Sequence, residues 1–562
     1  MQKKWKIKKD DTALQSKLSE ELGISLVVAK LLVNRGIVST CDAKHFLYGG
    51  IYDLHDPYLM KDMGLAVDRI KKAKKDKERV LVHGDYDVDG VTSSALLINL
   101  LDSMGIDVVN YIPHRVDDGY GLNQNIGELA KKQGAKLVIA VDCGVTSLNE
   151  IDVLNSLGID TIIIDHHEPA ETLPKAIAVV DPKRKDCEYP FKHLASVGLV
   201  AKLIQAINGK VSEEVLNLTA LGTVSDVVPL RGENRIFVKE GLANIHNTKN
   251  KGLQALFDVA KIQGKKIGPF HIGFVLGPRL NAAGRMDSAQ KSLDLFLSED
   301  FDSAYNLAKV LDSHNSRRQK IQREVISEAI DFVDTEVNFN EQKVIVLSKE
   351  GWHKGILGIA ASRIVDKYCR PAIVISVEDG IGTASARSID GFNLHEMLSA
   401  CSECLEGFGG HKGAAGLTIK EEKINSFREM INSVAEDKLV ENRLVPTVSI
   451  DCKLSLSDIN MELADTINLM EPFGEKNPVP VFCSKNLKVK GNPLALGRDT
   501  LKFWVTDGKN SISAVGFSMA KQRDAVASCS KLDLAYEISI DDWNKAPTPQ
   551  LKIKDIKIVE NA

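Results

Sequence analysis

The sequence predicts an α/β protein in which a parallel-sheet domain, a long helix, a second α/β domain and a β-barrel follow one another. Three observations support this fold class. Between about residues 65 and 180 short apolar runs alternate with helical stretches, as in a doubly wound parallel sheet. One helical pattern continues from about residue 301 to residue 333 without interruption. After Pro446, short alternating strands separated by turn residues are typical of a small β-barrel.

The first sheet is predicted from apolar runs at residues 80–82, 137–141 and 161–164. Gly134 and Gly158 precede the second and third runs, where each would end a helix. Short, fully apolar runs between helices are typical of strands that are buried on both faces. In such sheets, ligands bind beyond the carboxyl ends of the strands.

With 562 residues, the chain is too long for one hydrophobic core, so several domains are expected. The long helix has an apolar stripe that includes Ala304, Leu311 and Ala329, with basic residues on the opposite face, and we interpret it as a connector. The predicted domains are an N-terminal helical appendage (1–60), a parallel-sheet domain (61–295), the connector helix (296–335), a second α/β domain (336–445) and the barrel (446–562).

Composition narrows the class of protein but leaves its function open. The chain is 44% hydrophobic and 26% charged, and no apolar run approaches the roughly 18 residues of a membrane helix. A basic start without an apolar segment after it predicts a cytoplasmic protein without membrane contact. The net charge of −4 means that any nucleic-acid-binding surface must be local. The nine cysteines have no framework spacing, and we expect Cys401 and Cys404 to be ordinary reduced residues.

Acidic residues and histidines follow each of the three predicted strands of the first sheet. His83-Gly-Asp-Tyr-Asp-Val-Asp-Gly90 follows the first strand, Asp142 the second, and Asp165-His166-His167 the third. The carboxyl ends of parallel strands meet at one edge of a sheet, so these side chains should lie together. Clustered carboxylates repel one another unless a cation is bound.

Oxygen ligands with one or two imidazoles favour Mn²⁺ or Mg²⁺, and a pair of such ions is a standard device for phosphodiester hydrolysis. Each motif has a simpler interpretation when it is taken alone. An aspartate after a strand often caps a turn or helix, and a His-His pair is often a surface pair. The segment around Asp85 also has the start of a calcium-binding loop but not its later spacing or its terminal glutamate. Three coincident clusters favour the metal site.

Four segments together resemble the successive motifs of the DHH phosphoesterase superfamily: HGDYDVDG at 83–90, VDCG at 141–144, DHH at 165–167 and GTVSDVVP at 222–229. The resemblance implies metal-ligating and catalytic roles for Asp87, Asp89, Asp142, His166 and Asp226. It implies His83 as a further metal ligand. It also implies that His167 contacts the scissile phosphate as a catalytic residue, and that Asp85 supports the site.

Other segments are similar to the RecJ family within this superfamily: GPRLNAAGRMD at 277–287, GWHKG at 351–355, SARS at 385–388 and FGGHKGAAG at 408–416. The resemblance implies a DHH domain, a DHHA1 domain and a C-terminal OB-type barrel. The substrate-binding residues that it implies are Arg115, Arg285, Ser385, Arg387, Gly409, Gly410 and His411. Phe503, Trp504 and Trp543 are the candidate base-stacking residues of the barrel, with Lys488, Lys490, Lys502 and Lys552 nearby in the sequence.

The resemblance implies a single-stranded-DNA-specific 5′→3′ exonuclease that releases 5′-mononucleotides in DNA recombination and repair. Its cofactors would be two divalent ions, with Mn²⁺ preferred and Mg²⁺ possible. It would be a monomer that excludes duplex DNA by a narrow cleft between its DHH and DHHA1 domains. A single-strand-binding protein and a recombination helicase are the expected protein partners.

Two alternatives are kept open. One is a small-substrate phosphoesterase of the nano-RNase or phosphoadenosine phosphatase type, which would lack a barrel. The other is a non-catalytic single-strand-binding scaffold, which would have no use for clustered carboxylates.

Overall fold

The computed structural model describes residues 3–114, 121–436, 438–439, 445–497, 499–541 and 546–559. Contacts within the chain divide it into two compact units. The larger unit combines Ile7–Asp312 with Ser449–Ala562, and the smaller unit combines Met1–Lys6 with Ser313–Val448.

The N-terminal region contains one short strand and three helices: β1 (Lys4–Ile7), α1 (Thr12–Leu22), α2 (Leu26–Val33) and α3 (Thr40–Tyr48). The side chains of Asp11, Ser25 and Ser39 cap the three helices by accepting hydrogen bonds from backbone N–H groups of the first turn. The helical character that the sequence predicts for this region is therefore confirmed.

The parallel sheet and its flanking helices follow in the order α4 (Met63–Asp76), β2 (Val80–Gly84), α5 (Val88–Ser103), β3 (Val108–Tyr111), α6 (Ile126–Gln133), β4 (Leu137–Val141), α7 (Leu148–Ser156), β5 (Asp160–Ile164) and β6 (Ala178–Val180). The strand order is β3-β2-β4-β5-β6, and all pairs are parallel. Alternate residues pack on opposite faces: Val82 contributes to the core around α5, and Leu81 to the core around α6 and α7. The predicted doubly wound sheet is confirmed.

Helices complete this part of the larger unit: α8 (Ser196–Asn208), α9 (Glu213–Ser225), α10 (Gly232–Ala243), α11 (Lys251–Val259), α12 (Pro269–His271), α13 (Gly277–Met286) and α14 (Gln290–Leu297). A π-helical turn, Ile272–Leu276, joins α12 to α13. Helices α8, α9 and α11 bury apolar residues in the same core as α5.

The long helix α15 (Phe301–Glu336) is one continuous element, as the sequence predicts. Its N-terminal part buries Ala304 and Leu311 in the core of the larger unit. Its C-terminal part buries Val325 and Ala329 in a core of the smaller unit. The helix therefore belongs to both units.

The smaller unit contains a second α/β domain: β7 (Ile345–Glu350), α16 (Leu357–Tyr368), β8 (Ala372–Glu378), β9 (Ile381–Arg387), α17 (Leu394–Ala400), β10 (Leu405–His411), β11 (Ala414–Lys420) and α18 (Ile424–Glu436). The sheet order is β10-β11-β9-β8-β7. Only the β7–β8 pair is parallel among these strands.

The C-terminal elements are β12 (Thr447–Ile450), β13 (Cys452–Lys453), α19 (Met461–Asn468), β14 (Phe482–Leu496), β15 (Thr500–Thr506), β16 (Ser511–Phe517), α20 (Arg523–Ser528), β17 (Lys531–Asp541) and β18 (Thr548–Val559). Strand β14 pairs with β15 at one edge and with β17 at the other. Because β16, β18 and β17 connect these edges, the sheet closes into the predicted barrel.

The N-terminal helices and the barrel share one hydrophobic core. Leu18, Leu32 and Leu47 belong to the same buried cluster as Phe482 and Tyr536. The sequence predicts both regions but contains no signal that they pack together, because they lie more than four hundred residues apart. No helix in the described part of the chain is both long and apolar enough to span a bilayer.

Candidate metal centre

The carboxyl ends of three neighbouring strands each lead into an aspartate. Gly84, Val141 and Ile164 are aligned across β2, β4 and β5. The residues that follow them are Asp85, Asp142 and Asp165. The parallel register therefore brings the three predicted clusters to one edge of the sheet.

The start of α5 holds two further carboxylates. Asp87 caps the helix and accepts hydrogen bonds from the backbone N–H groups of Asp89 (2.8 Å) and Gly90 (3.1 Å). Asp89 is buried and accepts from the backbone N–H groups of Ser196 (2.7 Å) and Val197 (2.9 Å) at the start of α8. These bonds hold the Asp89 carboxylate in one orientation.

Asp226 reaches the cluster from the C-terminal end of α9. A Cβ atom added to Gly222 of this helix would lie 2.4 Å from Thr92 Oγ1 and 3.0 Å from Asp89 Oδ1. Only glycine therefore allows α9 to approach α5 so closely, and this approach puts Asp226 beside the strand ends.

The His166 imidazole lies among three carboxylates. Its Nε2 atom is 3.3 Å from Asp142 Oδ1, 3.7 Å from Asp226 Oδ2 and 4.0 Å from Asp89 Oδ2. Asp142 and His166 are both buried. Their two facing atoms, Asp142 Oδ1 and His166 Nε2, have no hydrogen-bond partner among the described residues.

Asp165 orients the histidine pair. Its buried carboxylate accepts from the backbone N–H groups of Val145 (3.0 Å), His166 (2.8 Å) and His167 (3.2 Å). The carboxylate also lies 2.8 Å from His167 Nδ1. His167 is thereby positioned with its Nε2 directed away from Asp165.

Burial and mutual repulsion disturb the ionisation of this cluster. Burial, together with the charge of Asp87, raises the pKa of Asp89 to about 7. Burial and the charges of Asp89 and Asp87 raise the pKa of Asp226 to about 9. Burial and the neighbouring carboxylates, Asp89 first, raise the pKa of Asp142 well above its usual value.

The pKa values of the two histidines shift in opposite directions. Burial and the charge of His167 lower the pKa of His166 to about 3, so its ring is neutral at neutral pH. Burial alone would also lower the pKa of His167, but the hydrogen bond and charge of Asp165 outweigh it and raise that pKa. A neutral imidazole is a metal ligand, whereas a charged one is a hydrogen-bond donor.

Three groups of described residues have ligand atoms within 4.8 Å of one another: Asp142 with His166 and His167; Asp89 with His166 and Asp226; and Asp85 with Asp87 and Asp142. A donor set of carboxylates and imidazole suits Mn²⁺ or Mg²⁺. A cation there would relieve the carboxylate repulsion and occupy the orphaned atoms of Asp142 and His166. The residues present therefore fit divalent ions.

Asp85 lies closer to the other possible metal ligands than the sequence predicts, and His83 lies outside the three groups. Asp85 belongs to one of the three groups, although the sequence suggests only a supporting role for it. His83 belongs to none of these groups of described residues. It is buried on β2, with Nδ1 3.6 Å from the Cys143 sulfur and its ring packed against Tyr111. A ligand role for His83 stays a prediction.

Arg285 lies on α13, next to the metal centre. A Cβ atom added to Gly284 would lie 3.1 Å from the backbone oxygen of Tyr86, so α13 packs against the loop that carries Asp85 and Asp87. Arg115, the other arginine predicted to contact phosphate in the same domain, lies outside the described residues.

The remaining predicted substrate residues converge at one end of the second sheet. Ser385 of β9 is aligned with Gly416 and, through it, with Gly409 of β10. Arg387 is aligned in the same way with Ala414 and His411. Side chains of residues aligned across antiparallel strands point to the same face of the sheet. The two rows therefore form a surface of small residues on β11, with the polar side chains of Ser385, Arg387 and His411 on the neighbouring strands. Gly410 separates the two rows on β10, and its φ of 137° favours glycine.

A further residue, Gly358, completes this arrangement and was not singled out from the sequence. It lies in the first turn of α16, where an added Cβ atom would be 2.9 Å from Arg387 Nη2 and 3.0 Å from Ser385 Oγ. Arg387 and Ser385 are therefore held against the N-terminal turn of a helix, where the helix dipole also favours an anion. Gly358 lies outside the motifs quoted from the sequence, so only its contact with Arg387 and Ser385 identifies it.

One of the predicted base-stacking residues of the barrel is buried, and an aromatic residue that was not predicted is exposed. Phe503 is only 2% exposed and belongs to the core, so its prediction as a base-stacking residue is wrong: it points into the barrel. Trp504, the next residue, is 50% exposed on the outer face. Phe517 on β16 is 56% exposed, with Lys552 Nζ 6.0 Å from its ring centre. Trp543 lies outside the described residues. Because side chains of a strand point alternately to its two faces, the position of Phe517 in β16 could have identified it as an outward-facing residue.

Comparison with known proteins agrees with this fold and site. Family models match the DHH family N-terminal domain at residues 79–223, the DHHA1 domain at 341–437 and the RecJ OB domain at 450–555. A single-stranded-DNA-specific exonuclease RecJ from Bacillus subtilis is 38% identical over 99% of this chain and 71% of the relative. One from Dickeya dadantii is 32% identical over 94% of this chain and 96% of the relative.

Solved structures agree as well. RecJ from Thermus thermophilus in complex with Mn²⁺ has a TM-score of 0.84 and 27% identity, over 99% of this chain and 80% of that chain. An exonuclease RecJ bound to manganese has a TM-score of 0.59 and 34% identity, over 67% of this chain and 94% of that chain. The fold and the clustered acids and histidines define a metal-dependent phosphoesterase of the DHH class. Within that class, the chain belongs to the RecJ family.

Proposed function

We propose that the protein is a single-stranded-DNA-specific exonuclease that hydrolyses phosphodiester bonds from the 5′ end and releases 5′-mononucleotides. The observation that carries this proposal is the convergence of Asp89, Asp142 and Asp226 on the His166 imidazole. The relatives that match over nearly the whole chain are single-stranded-DNA-specific exonucleases.

Divalent ions are the cofactors, and RecJ structures with Mn²⁺ and with Mg²⁺ support both ions. We infer that Asp87, Asp89, Asp142, His166 and Asp226 hold two of them, with Asp85 close enough to join. Such ions supply Lewis-acid activation and neutralise charge on the phosphate during attack on phosphorus. Mn²⁺ is the preferred ion because an imidazole is among the donors.

His167 is the residue of this chain best suited to contact the scissile phosphate. Asp165 holds one ring nitrogen, and the raised pKa of His167 favours the protonated ring. The other ring nitrogen then carries a proton that it can donate to a phosphate oxygen. A positively charged donor of this kind would stabilise the additional negative charge of the transition state.

The sheet of the smaller unit supplies a candidate pocket for the terminal 5′-phosphate. Arg387 offers a planar set of N–H donors, Ser385 offers a hydroxyl, and Gly358 leaves room for both beside the start of α16. A phosphate bound there would define one end of the strand, which is what 5′ polarity requires. Arg115, Arg285, Gly409, Gly410 and His411 are the further proposed substrate contacts.

The barrel extends the binding surface for single strands. Exposed Trp504 lies beside Lys490, its partner across β14 and β15, and next but one to Lys502. Exposed aromatics among lysines are the features with which OB-type barrels bind single strands by stacking and charge. A small-substrate phosphoesterase would have no need of this surface, which disfavours that alternative.

The test uses three Mn²⁺-containing reactions with 5′-³²P-labelled single-stranded DNA, the matching duplex and a dinucleotide. We expect labelled mononucleotide as the first product from the single strand, and little product from the duplex. Asp142→Asn serves as the inactive control. Preferred cleavage of the dinucleotide with the long strand left intact would contradict the proposal, as would a ladder of labelled products shortened from the 3′ end.

The cellular setting follows from the family and stays a prediction. We propose a role in recombination and repair, in the cytoplasm, as a monomer. A single-strand-binding protein and a recombination helicase are the proposed partners.

A further inference from the structure

Two phenylalanine rings of the larger unit are stacked on each other and exposed. Phe270 is 65% exposed and Phe274 is 69% exposed. Their ring centres are 5.1 Å apart, and the ring planes are inclined by 29°. Adjoining exposed apolar side chains can mark a surface that binds a ligand. We call this pair the aromatic platform.

The surroundings of the aromatic platform are basic. Lys261, Lys265 and Lys266 precede it on the same surface segment, and all three are exposed. Lys265 and Lys266 also line a cavity of about 340 Å³ together with Pro269, the residue next to Phe270. Lys266 Nζ lies 3.0 Å from a carboxylate oxygen of Glu471. Exposed rings beside several lysines suit a ligand that is both aromatic and negatively charged.

The segment that carries the aromatic platform packs against the helix that carries Asp226. Phe274 lies in the π-helical turn Ile272–Leu276, and a turn of this kind often occurs at a functional site. Gly277, the first residue after this turn, packs on the helix that carries Asp226: a Cβ atom added to Gly277 would lie 3.2 Å from Ser225 Oγ. The same run of helix continues through α13 to Arg285. The platform therefore lies about one helical turn from residues that contact the metal-binding segment.

We propose that the aromatic platform binds the bases of the single strand as it approaches the metal centre, with Lys265 and Lys266 contacting the phosphates. This proposal rests on the proposed exonuclease function and assigns a base-binding surface to that site. Both side chains are mostly exposed, so bases can stack on the ring faces that do not face each other. A duplex offers no free base faces along its length, so the platform favours single strands over duplex DNA.

The test compares binding of two 20-nucleotide strands to the full-length, metal-free protein: one of thymidines, and one of abasic residues with the same phosphates. We expect F270A/F274A to weaken binding of the thymidine strand by roughly tenfold to a hundredfold, and to leave binding of the abasic strand nearly unchanged. F270W/F274W should keep the preference for bases. F270L/F274L should lose it, because leucine retains apolar area but not a stacking face.

Tyr52→Ala is the matched control, because Tyr52 is an aromatic residue that is 99% exposed in another part of the chain. It should leave binding of both strands unchanged. With Mn²⁺ present, F270A/F274A should raise KM for a long thymidine strand. A melting temperature close to that of the wild type confirms that the variant is folded.

Equal weakening of both strands would overturn the proposal, because the rings would then act through the local structure. So would unchanged binding of the thymidine strand in F270A/F274A. If the wild type degraded no single strand at all, the exonuclease function would fail. The binding comparison would still decide whether the platform holds bases, so the two failures are distinguishable.

Discussion

The buried carboxyl groups of the metal centre make the stability of the protein depend on pH and on bound metal. Because the pKa of Asp89 is raised to about 7 and that of Asp226 to about 9, the folded metal-free protein holds protons that the unfolded chain releases above about pH 4. Stability from these carboxyls is therefore present at low pH and is lost as the pH rises through about 7 to 9.

We predict that the metal-free melting temperature falls between pH 6 and pH 9, and that Asp142→Asn makes this fall shallower. The amide removes one negative charge from the cluster, so the melting temperature at pH 9 should rise while nuclease activity is lost. Mn²⁺ should reduce the pH dependence in the wild type because the ion replaces protons. Calorimetry with and without chelator measures both effects. A melting temperature that rises toward pH 9 in the metal-free wild type, or an active Asp142→Asn variant, would contradict the assignment.

The predicted loss of activity extends to His166→Ala. Its ring lies within 4.0 Å of three carboxylates, so its removal takes a neutral ligand from the centre of the site. We expect exonuclease activity below about a tenth of the wild-type rate, since metal ligands and their supports commonly contribute tenfold or more. Circular dichroism of the metal-free variant controls for folding. Activity above a tenth with normal metal affinity would show that His166 is not a ligand.

For Arg387→Ala, we predict that cleavage of 5′-phosphorylated DNA slows by about tenfold to a hundredfold, while 5′-hydroxyl DNA is affected much less. A charge-assisted hydrogen bond of this kind contributes roughly 1.5 to 3 kcal/mol. Lysine should rescue only in part, because a single ammonium cannot reproduce the planar guanidinium. Rates are measured on 3′-labelled strands with each 5′ end.

Gly358→Ala should reproduce the effect of Arg387→Ala, because the added methyl group would occupy the space of the guanidinium and the Ser385 hydroxyl. Arg363→Ala is the control, since Arg363 lies on the exposed side of the same helix beside Asp366. Equal slowing of the 5′-phosphorylated and 5′-hydroxyl strands by Arg387→Ala would show that Arg387 does not bind the 5′-phosphate. Arg115, Arg285 and His411 would then be the candidates for the residue that sets polarity.

At the level of single elements, two adjacent residues of β15 have different roles: one is placed to bind DNA and the other packs in the core. Trp504 points outward and Phe503 points into the barrel core. We predict that Trp504→Ala weakens binding of long single strands by roughly tenfold and leaves hydrolysis of short oligonucleotides unchanged. Phe503→Ala should instead lower the melting temperature, because it leaves a cavity that costs about 3 to 5 kcal/mol. Fluorescence anisotropy and calorimetry distinguish the two outcomes. Unchanged affinity in Trp504→Ala would show that this face of β15 does not bind DNA.

At the scale of the whole molecule, Arg235 of α10 joins three regions of the larger unit. Its buried guanidinium donates to the backbone oxygens of Phe46, Leu469, Met470, Glu471 and Pro472, and stacks on the Phe46 ring at 4.1 Å. The N-terminal helices, the DHH domain and the segment that leads into the barrel therefore meet at one side chain.

We predict that Arg235→Ala destabilises the protein by about 3 kcal/mol or more, because several buried carbonyls lose a charged hydrogen-bond donor at once. Arg235→Lys should rescue little, since one ammonium cannot reach all five oxygens. Arg231→Ala is the matched control: Arg231 also donates to a backbone oxygen, that of Lys476, but at an exposed position. Urea unfolding measures the difference. Equal stability of the Arg235→Ala and Arg231→Ala variants would contradict this role.

The shared core also decides how the barrel can be studied. Deletion of the chain after Val445 would expose the faces of α1, α2 and α3 that pack on the barrel. Loss of DNA binding by such a truncated protein would therefore reflect damage to the fold as well as loss of a binding surface. Point variants such as Trp504→Ala avoid this ambiguity.

The sequence by itself determined the class of fold and the principal acids and histidines. Apolar runs that end in Asp85, Asp142 and Asp165 are local patterns, and parallel strands place their ends at one edge whatever else the chain does. The continuous stripe of α15 and the alternating strands of the barrel are local in the same way. Family motifs added residues such as Ser385 and Arg387.

Only the tertiary structure decided what depends on contacts between distant segments. The close approach of α9 at Gly222, the contact of Gly358 with Arg387 and the shared core of the N-terminal helices and barrel each join residues that are far apart in the sequence. It also decided which of the neighbours Phe503 and Trp504 faces solvent, and that Phe270 and Phe274 stack in the open. The physical reason is that burial and packing depend on what lies across from a residue, which the pattern along the chain does not contain.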